Sequence, residues 1–130
     1  MITTHFYHDE RCFWHSGGNY AQVLPVGGWV QPLVAGGLPE APETKRRLKN
    51  LLEVTGLASE IKMTGGDPAN KDDLQRIHPT SYLTEFKKLS DSGGGELGLR
   101  TPFGPGAFEI AALSAGMVKQ SILSTLNGEA

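Results

Sequence analysis

The sequence predicts an α/β chain, the opening strands of a parallel sheet linked by crossover helices. Three observations carry this. Strand-like and helix-like segments follow one another as strand, helix, strand, helices, long helix, which is how a parallel sheet is built. The closing stretch FEIAALSAGMVKQSILSTLNGEA, residues 108–130, is apolar almost all the way round, so the helix it predicts is buried on most sides. The 17 glycines and 8 prolines crowd into residues 17–42, 65–68 and 93–106, where they mark loops and leave the periodic blocks intact. At 130 residues the chain is one domain or part of one. Residues 1–41 hold a strand and a long loop. Residues 42–130 hold the helices, a second strand, a glycine-rich loop and the long final helix. Two short strands do not complete a parallel sheet, which is covered on both faces and needs several.

Residues 2–7, ITTHFY, carry the β-branched and aromatic types of a strand. The stretch from His8 to Ala41 shows neither a helical nor a strand period. Unstructured loops longer than about 12–15 residues are uncommon and tend to be functional. This one holds Phe13, Trp14, Tyr20 and Trp29, which either wall a pocket or pin the loop to the body of the protein. Pro42 opens a helix at a position where its missing N–H is not needed. Leu48, Leu51, Leu52 and Thr55 share one face of it, and Gly56 stops it. EIKMT, 60–64, reads as the second strand, ended by Gly65-Gly66-Asp67-Pro68. Asn70 caps a short helix whose first turn holds Asp72 and Asp73, and His78-Pro79 ends it. Thr80 or Ser81 starts the next helix, on which Tyr82, Phe86 and Leu89 share a face. SGGGELGLRTPFGPG is a second loop, in which glycine lets backbone approach a ligand. The last helix runs from about Ala107 to Leu126. Ala107, Ala111, Ala112, Ala115 and Gly116 give it one side small enough for close packing.

Twelve basic against fourteen acidic residues leave a net charge of −2 and no basic face, which argues against nucleic acid as a partner. The cluster Lys45-Arg46-Arg47 reads as a solvated helix face. The single cysteine, Cys12, rules out an internal disulfide and fits a reducing compartment. MITTHFYHDE lacks the order of a signal peptide, and no apolar run approaches the roughly 20 residues that span a bilayer. The expectation is a cytoplasmic protein with no membrane partner.

No catalytic set emerges from the residues alone. His8, Cys12 and His15 are spaced four and three apart, but a zinc site needs three or four fixed ligands and no recognised ligand spacing occurs. There is no Gly-x-Ser-x-Gly, and Gly93-Gly94-Gly95-Glu96-Leu97-Gly98 lacks the Lys and Ser/Thr of a phosphate-binding loop. His78, at a helix end, reads as a capping group.

Three segments together resemble a known family. PETKRRLKNLLEVTG resembles a first helix in which a His-Pro-Glu/Asp segment precedes an arginine four residues on from the acid. RIHPTSYLTEFKKLS resembles a His-Ser…Tyr-Leu stretch, and GGGELGLRTPFGPGAFEIAALSAGMV resembles a glycine-rich loop with its following helix. The resemblance is to histone deacetylase-like amidohydrolases, the bacterial class II type that includes acetylpolyamine amidohydrolases. It covers nearly the whole chain, most strongly 42–130, and implies part of the arginase-deacetylase fold.

That family hydrolyses acetyl-lysine or acetylpolyamine amides with a zinc ion held by Asp-x-His and a further Asp. A tandem His pair handles protons there. Zinc lowers the pKa of water and stabilises the oxyanion. This chain has no Asp-x-His and no His-His. It therefore resembles the front third of such an enzyme, with no cofactor or catalytic residue of its own, zinc belonging to the full-length family. The resemblance assigns Arg47 to the inner channel where acetate leaves, the alternative being a surface cation. It assigns Glu96 to the substrate-anchoring rim, the alternative being an ordinary loop glutamate. Trp14 and Tyr20 fall in the loop that forms one rim of the substrate tunnel. Ala41 stands where many members have the histidine of His-Pro-Glu, a loop contact and not a zinc ligand.

The sequence expectation is thus the N-terminal segment of a zinc-dependent deacetylase, inactive alone. Two alternatives stay open: a non-enzymatic module that self-associates or binds a partner, and one half of a split deacetylase. The expected partners are another copy or the missing C-terminal part.

Overall fold

The computed structural model describes residues 3–14, 20–21, 24–25, 42–98 and 101–130. Two strands form the parallel pair that the sequence predicts. β1 (His5–Tyr7) lies beside β4 (Lys62–Thr64), with His5 opposite Lys62, Phe6 opposite Met63 and Tyr7 opposite Thr64. Both strands are shorter than 2–7 and 60–64. Bonds from the Lys62 amide to the Thr4 carbonyl and from the His8 amide to the Thr64 carbonyl, each 2.9 Å, extend the ladder at its ends.

A 3-10 helix, Glu10–Trp14, follows β1. After it come β2 (Tyr20–Ala21) and β3 (Leu24–Pro25), which pair antiparallel. The stretch after His8 therefore carries local structure where the sequence shows no period. Helix α1 (Pro42–Val54) starts at the predicted proline. It is followed by Gly56 at φ 80°, a left-handed conformation that glycine adopts without strain, and a 3-10 turn, Leu57–Ser59. Its apolar face is only partly covered: Leu48 and Leu51 are about half exposed.

Helix α2 (Lys71–Gln75) carries a complete capping box. Asn70 Oδ1 accepts from the Asp73 amide at 2.9 Å, and Asp73 Oδ2 accepts from the Asn70 amide at 3.2 Å. Helix α3 (Thr80–Asp91) starts directly after Pro79. Its aromatic face is packed edge-on: Phe86 lies 4.8 Å from Phe103 and 5.4 Å from Phe108 between ring centroids. The glycine-rich loop is a hairpin of β5 (Gly95–Glu96) and β6 (Pro102–Phe103), with Gly95 opposite Phe103. Gly94 sits at φ 113°, and a Cβ there would strike the Phe103 carbonyl oxygen, so this turn requires glycine.

Helix α4 (Ala107–Leu126) has the predicted bounds. Its buried residues are Ala107, Ala112, Leu113, Gly116, Met117 and Ser124, which with Leu83 of α3 form the core. The expected small-residue side is real but splits: Ala107, Ala112 and Gly116 are buried, whereas Ala111 and Ala115 face outward. The expectation of burial on most sides is corrected as well. Val118, Ile122 and Leu126 are 57%, 54% and 77% exposed. A helix that is apolar all round gives no signal of which face its neighbours cover.

Candidate functional site

In parallel α/β sheets, ligands sit beyond the carboxyl ends of the strands. Tyr7 and Thr64 mark those ends here. They open onto a cleft of about 520 Å³ whose walls are the Gly65-Gly66-Asp67 turn and Gln120, Ser124, Asn127 and Glu129 of the α4 end. The turn is fixed to α4 by three contacts. The Asp67 amide donates to Gln120 Oε1 at 3.1 Å, Gln120 Nε2 donates to Asp67 Oδ2 at 3.3 Å, and the Ala69 amide donates to the Ala112 carbonyl at 2.8 Å. Backbone can come this close because residue 116 is glycine: a Cβ there would lie 2.7 Å from the Pro68 carbonyl carbon. Lys119 Nζ and Asp73, 2.7 Å apart, add an ion pair from α4 to α2, and this bond holds the Asp73 carboxyl below its ordinary value. The sequence showed Gly65-Gly66-Asp67 only as a strand end. Its partner Gln120 is 53 residues away, and no local signal joins them.

Of the predicted rim residues, Trp14 lies on the 3-10 helix after β1. Asp9 starts it by holding Arg11 in a two-point contact, Nε at 2.9 Å and Nη2 at 2.7 Å, with the Arg11 amide also at 2.9 Å. The Arg11 side-chain bonds, then its amide, pull the Asp9 carboxyl down to about 2. Glu10 reaches across to α1, 3.3 Å from Lys49 and 3.9 Å from Arg46. The Arg46 guanidinium sits 5.1 Å from the Phe13 ring centroid. Sequence reasoning read this arginine only as part of a solvated face.

The four assigned residues are placed as follows. Trp14 ends the 3-10 helix with its side chain 81% exposed. Arg47 is exposed on α1, one residue from Arg46, so Trp14 and Arg47 stand on two elements that touch. Tyr20 is the first residue of β2. Glu96 is exposed on β5, and its Oε1 accepts the Thr101 amide at 3.2 Å, which ties its carboxylate into its own hairpin. Trp29 and His15 lie outside the described residues.

Among the described residues no three His, Cys, Asp or Glu side chains stand close enough to hold a metal ion, so they do not fit the zinc centre of the family they resemble. His5 and His8 have Nδ1 atoms that are buried without a hydrogen-bond partner. Burial pushes the Cys12 thiol up, which disfavours the reactive thiolate. His78, just after α2, stacks on Tyr82, with ring centroids 5.1 Å apart. Among the described residues no helix is long and apolar enough to cross a membrane.

No protein-family model matches the chain. A histone deacetylase-like amidohydrolase from Pseudomonas aeruginosa is 54% identical over 127 residues, which is 98% of this chain and 33% of that protein. The crystal structure of the HDA15 HD domain superposes with a TM-score of 0.77 at 19% identity, over 98% of this chain and 32% of that one, and shows the fold. The chain spans about a third of the length of the relative it matches. The resemblance carried by the three sequence segments is borne out, and the chain is a homologue of part of a histone deacetylase-like amidohydrolase.

Proposed function

We propose that this chain supplies the opening part of a zinc-dependent deacetylase acting on acetyl-lysine or acetylpolyamine amides, and that it is catalytically silent alone. The observation that carries this reading is the 54% identity maintained over 98% of the chain. Zinc, when bound by the family's ligands, supplies an activated water and a Lewis acid for the amide carbonyl. The roles of this chain's residues in such an enzyme are positional. The exposed Trp14, together with Tyr20 of β2, forms one substrate rim. Glu96, held by Thr101, anchors the substrate at the pocket rim. Arg47, with a planar fork suited to carboxylates, serves the acetate path. The protein works in the cytoplasm, and its partner in catalysis is polypeptide equivalent to the rest of the relative.

The test is complementation. The purified chain is mixed with a polypeptide equivalent to the remaining two-thirds of the Pseudomonas aeruginosa relative, zinc is added, and an acetyl-lysine reporter is followed. The reading expects turnover in the mixture and in neither component alone. A stable complex that never turns over would contradict it.

A second reading, a self-associating module without chemistry, is favoured by one observation: the exposed apolar residues Val118, Ile122 and Leu126 on α4.

A further inference from the structure

We propose that Arg46 and Lys49 of α1 are positioning residues: they clamp the segment Glu10–Trp14 and so set the direction in which Trp14 meets substrate. Only the contact with substrate rests on the deacetylase reading; the clamp is read from this chain alone. A 3-10 helix has poor hydrogen-bond geometry and is used in short pieces that need support. None of the five residues of Glu10–Trp14 is buried. Trp14 is 81% exposed, so packing of its own ring does little to hold it. The contact of Asp9 with Arg11 and the bond from the Cys12 amide to the Asp9 carbonyl, 3.1 Å, shape the turn from within. Both are local, and neither ties the segment to α1.

Helix α1 supplies that tie. Arg46 and Lys49 are three residues apart, so they stand on one face of the helix. In a 3-10 helix the side chains at i and i+3 eclipse, so Glu10 and Phe13 also share a side. The two pairs meet. The Arg46 guanidinium sits 5.1 Å from the Phe13 ring centroid and 3.9 Å from Glu10, and Lys49 Nζ lies 3.3 Å from Glu10. Each cation is braced within α1: Glu43 holds Arg46 Nε at 3.4 Å and Glu53 holds Lys49 Nζ at 2.8 Å. Trp14 follows Phe13 by one position, a third of a turn, and so points away from the clamped side. Each such exposed contact is weak alone, a factor of about two to five in an equilibrium. Here three of them converge on one carboxylate and one ring.

The chain carries its own probe of the clamp. Cys12 is the single cysteine, lies on the clamped segment and is half-buried. The charges that act on its thiol are those of Asp9 and Arg11, so a change at Arg46 alters its labelling by a thiol reagent through access and not through acidity. Helix α1 has no buried residue, so substitutions on it leave the fold in place. Arg46→Met and Lys49→Met keep the length and lose the charge, and each should speed labelling about fivefold. Arg46→Lys keeps a cation over the ring and should stay within about twofold of the wild-type rate. Wild-type rates in both methionine variants would overturn the clamp. So would an Arg46→Lys variant that labels as fast as Arg46→Met.

The mixture with the complementing polypeptide tests the contact with substrate. Arg46→Met should raise KM for the acetyl-lysine reporter about threefold with kcat unchanged, and so should Trp14→Ala. The two together should raise it no further than Trp14→Ala alone, because Arg46 acts through Trp14. Additive effects, or a loss in kcat with KM unchanged, would overturn that role. A mixture that never turns over would contradict the deacetylase reading and the contact with substrate together, while Cys12 labelling still decides the clamp.

Discussion

Ser90 is fully buried near the end of α3, and its Oγ accepts the Phe108 amide of α4 at 3.1 Å. The residue that precedes α4, Gly106, has no side chain to do this, so a serine 18 residues away satisfies one of the free N–H groups of the helix start. Ser90→Ala leaves that amide without a partner and should cost about 1–2 kcal/mol. Urea unfolding should show a lower midpoint with an unchanged slope, and an unaltered midpoint would contradict the assignment. Asp9 gives a pH prediction. Its folded value of about 2 lies below the ordinary 3.8, so the contact with Arg11 contributes fully above about pH 4 and is lost as pH falls through 2. Titration of the Asp9 carboxyl carbon by NMR should give a midpoint near 2 in the native chain and an ordinary value in Arg11→Gln. Equal midpoints would sink this assignment. Neither residue announces its role in the sequence. Asp9 and Ser90 are common polar types whose partners are chosen by a two-residue turn in one case and a helix–helix contact in the other.

Among the elements, the tightest dependence is that of the Gly65–Ala69 turn on α4. Gly116→Ala should raise helix propensity by about 1 kcal/mol, yet the added methyl meets the Asp67 carbonyl and the Pro68–Ala69 peptide. The collision should win. A net destabilisation of about 2 kcal/mol or more is expected, in the range of overpacked sites. Hydrogen exchange at the Ala69 amide, now bonded to the Ala112 carbonyl, should accelerate with it. A stabilised variant would show that the turn does not need this close approach. Legibility follows the same physics. Helices α1, α2 and α4 were readable because proline, asparagine and glycine punctuate them and the bounds of α1 and α4 follow. The 3-10 helix Glu10–Trp14 was not, because ERCFW has no period to detect. The β5–β6 hairpin was hidden in a run of glycines, and the open face of α4 in a helix whose apolar residues point every way. For the site, the sequence supplied Trp14, Tyr20, Arg47 and Glu96 only through family resemblance. It could not show that Glu96 bonds its own hairpin or that Arg46, beside Arg47, sits over the Phe13 ring.

For the whole molecule, the apolar residues that are deeply buried are few: Leu83, Ala107, Ala112, Leu113 and Met117. Leu48, Leu51, Val118, Ile122 and Leu126 remain in contact with solvent. A pair of three-residue parallel strands is a small sheet for helices of 13, 12 and 20 residues to cover. The arrangement nevertheless superposes on about a third of a larger domain, so the fold is kept while the catalytic donors do not meet among the described residues. This combination underlies the proposed function, in which this chain supplies scaffold and rim and hydrolysis needs more polypeptide. The most direct measurement is the rate at which the purified 130-residue chain, with zinc and without, releases acetate from an acetyl-lysine reporter. The account predicts a rate equal to the protein-free blank in both conditions. Turnover that scales with protein, disappears with chelator and returns with zinc would contradict it.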